Sequence, residues 1–343
     1  MRTIELEETA RRLVADGKGI LAADETPPTL TKRLAAREIE STPTSRRDYR
    51  EMFFTTPGIA EYISGVILQD ETIRQTSDEG IALAELLSRQ SILPGIKVDN
   101  GAKPLAAAPG ERVTEGLDGL RARLEDYRNR GARFAKWRAV IAIDGSTLPS
   151  EKCVHVNAHA LGRYAALCQE QQIVPIVEPE VLMDGSHTIE RCEEVTGAVL
   201  RAVFRELFAQ GVAPEAMLLK PSMVVAGKDC PTQPSVDEVA RATLRCLRRH
   251  VPAAIPGIVF LSGGQDHVAA TAHLSAINAQ EGTKPWKLSF SYGRALQDEA
   301  LEAWRGRREN VAAAQRAFLR RAKCDSAAAL GRYTPAMESK TAA

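Results

Sequence analysis

Lys220 lies within an apolar segment that runs from Ala216 to Val225. An ammonium group is unfavourable in such surroundings, which favour the neutral amine instead. The neutral amine is the form that attacks a carbonyl carbon and forms a Schiff base. A lysine whose stem packs while its head reaches water is the alternative for an isolated residue. The other charged residues of the chain favour the chemical interpretation.

Two other apolar segments carry charged residues two positions apart. Lys136 and Arg138 form one such pair, and Glu178 and Glu180 form the other. Residues i and i+2 of a strand point to the same side, so each pair projects together. Further charges end neighbouring apolar segments, namely Asp24, Lys97 and Asp99. Charges that converge from several strands predict a catalytic pocket in which they pair with one another.

Strands and helices that alternate along the chain would position these residues. Eight apolar, β-rich segments are Gly19–Glu25, Ile63–Asp70, Leu93–Asp99, Arg133–Ile143, Val174–Val181, Ala216–Val224, Gly257–Gly264 and Trp286–Gly293. Stretches with helical periodicity separate them. This alternation predicts a parallel sheet closed into a (β/α)₈ barrel of the TIM type, in one domain over residues 1–330. A short polar tail at 331–343 follows, and its last part, residues 335–343, is expected to be mobile. A doubly wound open sheet is the competing arrangement, but no G-x-G-x-x-G follows the first strand.

The last two strands end in segments suited to binding an anion. The glycines of Ser262-Gly263-Gly264 allow close approach of the backbone, and Ser291-Tyr-Gly293-Arg294 adds a guanidinium at the start of a helical segment. Barrels of this type often hold a phosphate after strands seven and eight. The sequence therefore predicts a phosphate site here.

Composition excludes several classes of function. The formal net charge is +1, which gives no indication of nucleic-acid or membrane binding. The six cysteines form no C-x-x-C pair and are expected to be reduced thiols. No apolar leader follows Met1, so a cytoplasmic protein is expected. The arginine-rich stretch from Arg305 to Lys323 predicts a helix face exposed to solvent.

Taken together, these segments resemble the class I, Schiff-base-forming fructose-bisphosphate aldolases. The motifs that carry the resemblance are Gly17-Lys-Gly-Ile-Leu-Ala-Ala-Asp-Glu25, Ile96-Lys-Val-Asp99, Phe134-Ala-Lys-Trp-Arg138, Ile173-Val-Pro-Ile-Val-Glu-Pro-Glu180, Leu218-Leu-Lys-Pro221, Phe260-Leu-Ser-Gly-Gly-Gln265 and Phe290-Ser-Tyr-Gly-Arg-Ala-Leu296. The resemblance implies reversible cleavage of fructose 1,6-bisphosphate in glycolysis and gluconeogenesis, without a metal or other cofactor. It also implies phosphorylated ketose and triose substrates and a homotetramer.

The resemblance implies a role for each charged residue. Lys220 attacks the C2 ketone, and Glu178 acts as acid and base while the carbinolamine loses water. Lys136 assists both, Asp24 takes the proton of the C4 hydroxyl, and Glu180 supports Lys136 or Glu178 by charge pairing. The implied C1 phosphate site comprises Ser262, Gly263, Gly264, Ser291, Gly293 and Arg294, and the implied C6 phosphate site comprises Lys97 and Arg138 with Thr26, Thr29, Lys32 and Arg33.

Two departures from the family pattern stand out. Thr26-Pro-Pro-Thr29 follows Glu25, and its prolines are expected to stiffen a loop that has small residues in the family. The chain ends Ser339-Lys-Thr-Ala-Ala343, without the tyrosine that helps to protonate the enamine in many members. The residue that takes this role is left open.

Three other functions compete with this one. A metal-dependent aldolase would use His155 and His159, which are four positions apart, but no third ligand is evident and a surface pair is favoured. A second possibility is a Schiff-base lyase for fructose 1-phosphate or sedoheptulose bisphosphate. The third is a non-catalytic scaffold role, against which Lys220, Glu178 and Asp24 argue.

Overall fold

The computed structural model describes residues 3–339. Ten strands are β1 Gly19–Ala22, β2 Ile63–Leu68, β3 Leu93–Lys97, β4 Ala102–Pro104, β5 Arg112–Thr114, β6 Phe134–Ile141, β7 Val174–Val181, β8 Leu218–Leu219, β9 Gly257–Phe260 and β10 Lys287–Tyr292. Twelve α-helices are α1 Thr3–Leu13, α2 Pro27–Ala35, α3 Pro43–Phe54, α4 Asp70–Ile73, α5 Leu83–Arg89, α6 Leu120–Asn129, α7 Glu151–Glu170, α8 Ile189–Ala209, α9 Val236–His250, α10 His267–Ala279, α11 Arg294–Trp304 and α12 Val311–Ala329.

Eight of the strands close into a parallel barrel. Their order is β1-β10-β9-β8-β7-β6-β3-β2, and β1 pairs with both β10 and β2. The predicted (β/α)₈ barrel is therefore confirmed. Most strands end before the predicted boundary, so Asp24, Asp99 and Lys220 lie just beyond β1, β3 and β8. No described helix is long and apolar enough to cross a membrane.

Large side chains fill the barrel where neighbouring strands carry glycine. Phe134 of β6 is fully buried inside, against Gly65 of β2 and Gly95 of β3. A Cβ atom at Gly95 would lie 2.3 Å from the Phe134 ring, which is well inside van der Waals contact. These glycines are required because the ring occupies the space that a side chain would need.

An antiparallel hairpin, β4–β5, follows β3 along the chain and precedes β6, and it was not predicted. Its strands have only three residues each, which is too short to produce a periodic pattern. The hairpin packs beside β6 because Thr114 Oγ1 donates to the Arg138 carbonyl at 2.8 Å. It therefore borders the carboxyl end of the barrel.

The chain after α12 is packed against it. Pro335–Glu338 form a 3₁₀ turn, and the Glu338 carboxylate pairs with Arg321 of α12 and accepts from the Tyr333 hydroxyl at 2.8 Å. Arg321 is fully buried, so the exposed helix face predicted for this arginine was wrong. The predicted mobility of the tail was also wrong for residues 335–339, because Glu338 is the carboxylate partner of the buried Arg321 guanidinium. Residues 340–343 lie outside the described residues.

Candidate active site

A cavity of about 640 Å³ opens at the carboxyl ends of the barrel strands. The predicted catalytic residues all line it, namely Asp24, Lys136, Glu178, Glu180 and Lys220. The predicted phosphate-binding residues that line it are Thr26, Thr29, Arg33, Lys97, Arg138, Ser262, Gly263, Gly264, Ser291, Gly293 and Arg294. Lys32 does not line the cavity, because it lies on the exposed side of α2.

Four of these side chains form a line of alternating charge, here called the charge relay. Lys220 Nζ is 3.0 Å from Glu178 Oε1, and Lys136 Nζ is 3.2 Å from Glu178 Oε2. Lys136 Nζ also lies 2.6 Å from Asp24 Oδ2. All four side chains are buried or nearly so. Each buried charge therefore has a counter-charge, which is the condition for keeping it ionised away from water.

The barrel register brings the charge relay together. Lys136 of β6 lies in register with Lys97 of β3 and with Ile176 of β7, while Arg138 lies in register with Glu178. The Lys220 amide donates to the Val177 carbonyl at 2.8 Å, which fixes Lys220 beside Glu178. Adjacent parallel strands are about 4.8 Å apart, so side chains at these positions reach one another.

The charges of the relay shift each other's protonation. Burial would raise the pKa of Asp24, but Lys136 and Lys220 lower it more, and the pKa lies well below its ordinary value. Burial would lower the pKa of Lys136, but Asp24 and Glu178 raise it above its ordinary value. Asp24 is therefore an anion and Lys136 a cation at neutral pH.

Glu180 pairs with a different residue from the one expected. Its carboxylate contacts Nε of Arg138, one strand away, and not Lys136 or Glu178. Side-chain reach explains this, because Arg138 is longer and points along the same side of β6 as Lys136, nearer to the cavity mouth. Glu180 thus neutralises Arg138.

The turn after β9 and the start of α11 have the features predicted for a phosphate site. Gly263 and Gly264 adopt φ values of +61° and +89°, which favour glycine. Arg294 begins α11 after Gly293, is exposed, and has no ion-pair partner among residues 3–339. The Ser291 hydroxyl is buried and finds no hydrogen-bond partner in the described part of the chain. Each of these groups is free to bind an anion.

The opposite side of the cavity holds cations that are already neutralised. Arg33 pairs with Glu25 and with Asp298, which lies at 2.7 Å. Lys97 Nζ lies 2.5 Å from Asp99 Oδ1. Asp99, which was not assigned a role, also accepts from the Arg138 amide at 3.2 Å and so connects β3 to β6. Its position at a strand end was the signal for such a role.

The threonines at this side lie at the start of a helix and not in a loop. Pro27 and Pro28 are the first two residues of α2, and Thr26 precedes them. The Thr26 and Thr29 hydroxyls are 3.1 Å apart and face the cavity. Proline suits the first helical position but lacks an N–H, so the start of α2 offers fewer donors than an ordinary helix terminus.

Further residues that line the cavity were not predicted, and three of them lie beyond β7 and β8. Met183 and Asp184 follow β7, and Lys228 follows β8 in a long loop. Lys228 Nζ lies 2.5 Å from Asp184 Oδ1 at the exposed rim. Only their position just beyond barrel strands could have indicated them.

The residues considered as metal ligands lie away from the cavity. His155 and His159 of α7 are exposed, and His159 Nδ1 is 3.0 Å from Glu206 Oε2 of α8, a partner that the sequence did not reveal. Elsewhere among the described residues, a group of three carboxylates on the surface lies close enough to suggest a metal, comprising Asp48, Glu51 and Asp78. Arg47 pairs with these carboxylates. The expectation that no metal takes part stays a prediction.

The barrel with a lysine-centred charge relay at its carboxyl end has the architecture of barrel enzymes, whose active sites lie at that end. Comparison with known proteins agrees, because the family described as "Fructose-bisphosphate aldolase class-I" matches residues 5–343. A relative from Xanthomonas axonopodis pv. citri named "Probable fructose-bisphosphate aldolase class 1" is 56% identical over 96% of this chain and 98% of its own.

Two further relatives extend the agreement. "Fructose-bisphosphate aldolase 4, cytosolic" of Arabidopsis thaliana is 51% identical over 97% of this chain and 84% of its own. A fructose-bisphosphate aldolase from Plasmodium falciparum, solved with TRAP and a small molecule inhibitor, superposes with a TM-score of 0.95 at 47% identity and covers 97% of this chain and 96% of its own. The chain belongs to the class I fructose-bisphosphate aldolase family. The predicted family and enzyme class are thus confirmed.

Proposed function

We propose that the protein cleaves fructose 1,6-bisphosphate reversibly into dihydroxyacetone phosphate and glyceraldehyde 3-phosphate through a Schiff base on Lys220. The observation that carries the proposal is the buried charge relay, in which Lys220 Nζ is 3.0 Å from an acid–base partner, Glu178. An amine and a carboxylate at this distance can exchange the protons that carbinolamine formation and dehydration require.

The steps follow the order of the charge relay. Lys220 first passes a proton to Glu178, its neutral Nζ adds to the C2 carbonyl carbon, and the carbonyl oxygen takes a further proton from the nitrogen. Glu178 then donates the proton that it received, so that the C2 hydroxyl leaves as water and the iminium forms. The anionic Asp24 then takes the C4 hydroxyl proton, the C3–C4 bond breaks, and its electron pair enters the iminium to give an enamine. Protonation at C3 and hydrolysis release dihydroxyacetone phosphate and free Lys220. Lys136 stabilises the carboxylates on either side of it.

The phosphates lie at opposite sides of the cavity in this proposal. The C1 phosphate binds at Ser262, Gly263, Gly264, Ser291, Gly293 and Arg294. The Arg294 guanidinium and the buried Ser291 hydroxyl, neither of which has a partner among residues 3–339, support the assignment. The C6 phosphate binds at Lys97 and Arg138, with the Thr26 and Thr29 hydroxyls. Arg33 supports this side through Glu25, and Lys32 has no place in the proposal because its side chain lies outside the cavity.

We also propose that the enzyme is a cytoplasmic homotetramer that acts in glycolysis and gluconeogenesis. Membership of the family supports the pathway and the assembly, and the printed name of the Arabidopsis relative supports the location. Light scattering on the purified protein measures the assembly, and a mass of one or two chains would contradict the tetramer.

Borohydride reduction tests the mechanism. With dihydroxyacetone phosphate present, hydride reduces the iminium to a secondary amine, so peptide mass mapping should find the reduced triose phosphate on Lys220 and activity should be lost. Omitting the triose phosphate gives the control. EDTA should leave cleavage intact. A label on another lysine, or activity lost on chelation, would contradict the proposal.

A further inference from the structure

The strand end that carries Asp24 is held by side chains more than by the barrel. The main-chain pairing of β1 with β2 ends where the Ala23 amide donates to the Ile67 carbonyl at 3.0 Å. Within residues 3–339, the amides of Asp24 and Glu25 make no main-chain hydrogen bond. Two buried side chains bind the carbonyl groups on either side of Asp24, and they come from α3 and α11.

Arg50 of α3 holds the carbonyl that follows Asp24. Its Nη2 donates to the Glu25 carbonyl at 2.5 Å, and the side chain is fully buried. Gln297 of α11 holds a carbonyl two residues before Asp24, at the end of β1, because its Nε2 donates to the Ala22 carbonyl at 2.6 Å. The Gln297 amide is itself fixed, since its Oε1 accepts from the Tyr49 hydroxyl at 2.8 Å.

Stability alone does not account for Arg50. Its Nε and Nη1 atoms find no hydrogen-bond partner in the described part of the chain, and the nearest carboxylate, Glu71, is 3.8 Å away. Glu71 already makes a two-point contact with Arg46. A buried guanidinium with unmet donors costs folding energy, and well-packed apolar residues at such positions are often neutral or stabilising. Features that cost stability are common where they serve activity.

We infer that Arg50 and Gln297 are positioning residues that hold the Asp24 main chain so that its carboxylate meets Lys136 and the C4 hydroxyl. The inference rests on the proposed function, because it assumes that Asp24 acts in carbon–carbon cleavage. Neither residue lines the cavity, so both act through Asp24. Displacement of a reacting group by about 1 Å can reduce turnover by up to a hundredfold, which makes such support significant.

The test separates two partial reactions. Reduction by borohydride in the presence of dihydroxyacetone phosphate measures iminium formation at Lys220, which does not use Asp24, and cleavage of fructose 1,6-bisphosphate measures the step that does. In Arg50→Met and Gln297→Met we expect turnover for cleavage to fall by about tenfold or more, with labelling within about twofold of the parent. The acid limb of the cleavage profile should move to higher pH, since Asp24 would lie farther from Lys136. Arg50→Lys should recover cleavage to within about threefold, because an ammonium can also donate to the Glu25 carbonyl.

Arg321 provides a matched control. It is as deeply buried as Arg50, but its guanidinium contacts Asp325, Glu338 and Thr271. Arg321→Met should therefore lower the free energy of unfolding and leave both partial reactions of the folded protein within about threefold. Arg50→Met should show the opposite pattern, with little or no loss of stability.

The outcomes are distinguishable. The inference would be overturned if Arg50→Met and Gln297→Met lost labelling and cleavage in parallel. It would also be overturned if Arg50→Met failed to fold while Gln297→Met kept full cleavage. Absence of label on Lys220 in the parent protein would instead overturn the proposed function.

Discussion

Replacing Lys136 by methionine removes the cation that lies between two buried carboxylates. Lys136 Nζ is 2.6 Å from Asp24 and 3.2 Å from Glu178, and only 4% of the lysine side chain is exposed. Glu178 keeps Lys220 as a partner, whereas Asp24 loses its closest counter-charge. Removing one partner of a buried ion pair costs about 3–5 kcal/mol, and we expect a loss of this size in the free energy of unfolding at about pH 8.

The loss should become smaller as the pH falls. In the parent protein the pKa of Asp24 lies below the unfolded value of 3.8, so the contribution of Asp24 to stability is complete at neutral pH and is lost only in acid. In Lys136→Met we expect the pKa of Asp24 to rise, because burial still raises it while the contribution of Lys136 that lowers it is lost and only those of Lys220 and Lys97 remain. Where this pKa exceeds that of the unfolded chain, the folded variant binds a proton at a pH where the unfolded chain does not. Between these two pKa values, the free energy of unfolding of the variant rises by about 1.4 kcal/mol for each unit by which the pH falls.

Urea unfolding at about pH 8 and about pH 5.5, at one protein concentration, measures both effects. Lys228→Met is the control, because Lys228 and Asp184 form an ion pair at the same cavity with side chains that are 54% and 66% exposed. Its effect should stay below about 1 kcal/mol at both pH values. A Lys136→Met loss that is equal at both pH values, or as small as that of the control, would refute the reasoning.

Two further predictions concern the phosphate sites and the chain end. Arg294→Met should weaken the binding of substrates with a C1 phosphate by about 1.5–3 kcal/mol. Lys97→Met should impair cleavage of the bisphosphate more than cleavage of fructose 1-phosphate. If steady-state kinetics show equal losses on both substrates for both variants, the two-site assignment is contradicted. Truncation after Thr334 should change cleavage turnover by less than about threefold, because residues 335–339 do not line the cavity. The same truncation should lower the free energy of unfolding by about 1–3 kcal/mol, since Arg321 loses its partner Glu338. A tenfold fall in turnover with an unchanged free energy of unfolding would show that this segment serves catalysis and not stability.

The barrel and the charge relay were predictable from the sequence for different reasons. Eight apolar segments alternating with helical periodicity leave few arrangements other than a parallel barrel. Charges two positions apart, as at Lys136 and Arg138, must share one side of a strand. Since the carboxyl ends of the strands meet at one end of the barrel, residues such as Lys220 and Asp24 converge without any knowledge of the packing.

The choice of partners was not predictable. Whether Glu180 pairs with Lys136 or with Arg138 depends on strand register and side-chain length, which no local pattern contains. Lys32 and Arg33 are adjacent on α2, but successive helical residues point about 100° apart, so only Arg33 faces the cavity.

The buried position of Arg321 did leave a signal in the sequence. Asp325 is four positions later, which is the spacing of an ion pair along one side of a helix. The third partner, Glu338, lies in a segment without periodicity, so its docking depends on tertiary contacts alone.

The charge relay also restricts how this catalytic centre can evolve. Replacing either central residue, Lys136 or Glu178, leaves Asp24 or Lys220 buried without its closest counter-charge, so an intermediate with such a substitution is expected to be both unstable and inactive. Drift toward another reaction therefore requires coupled changes at two positions, or prior stabilising substitutions elsewhere that let the fold tolerate the first. The exposed pair of Lys228 and Asp184 carries no such restriction, so new substrate preferences are expected to arise at the rim, by single substitutions, before the chemistry at the centre changes.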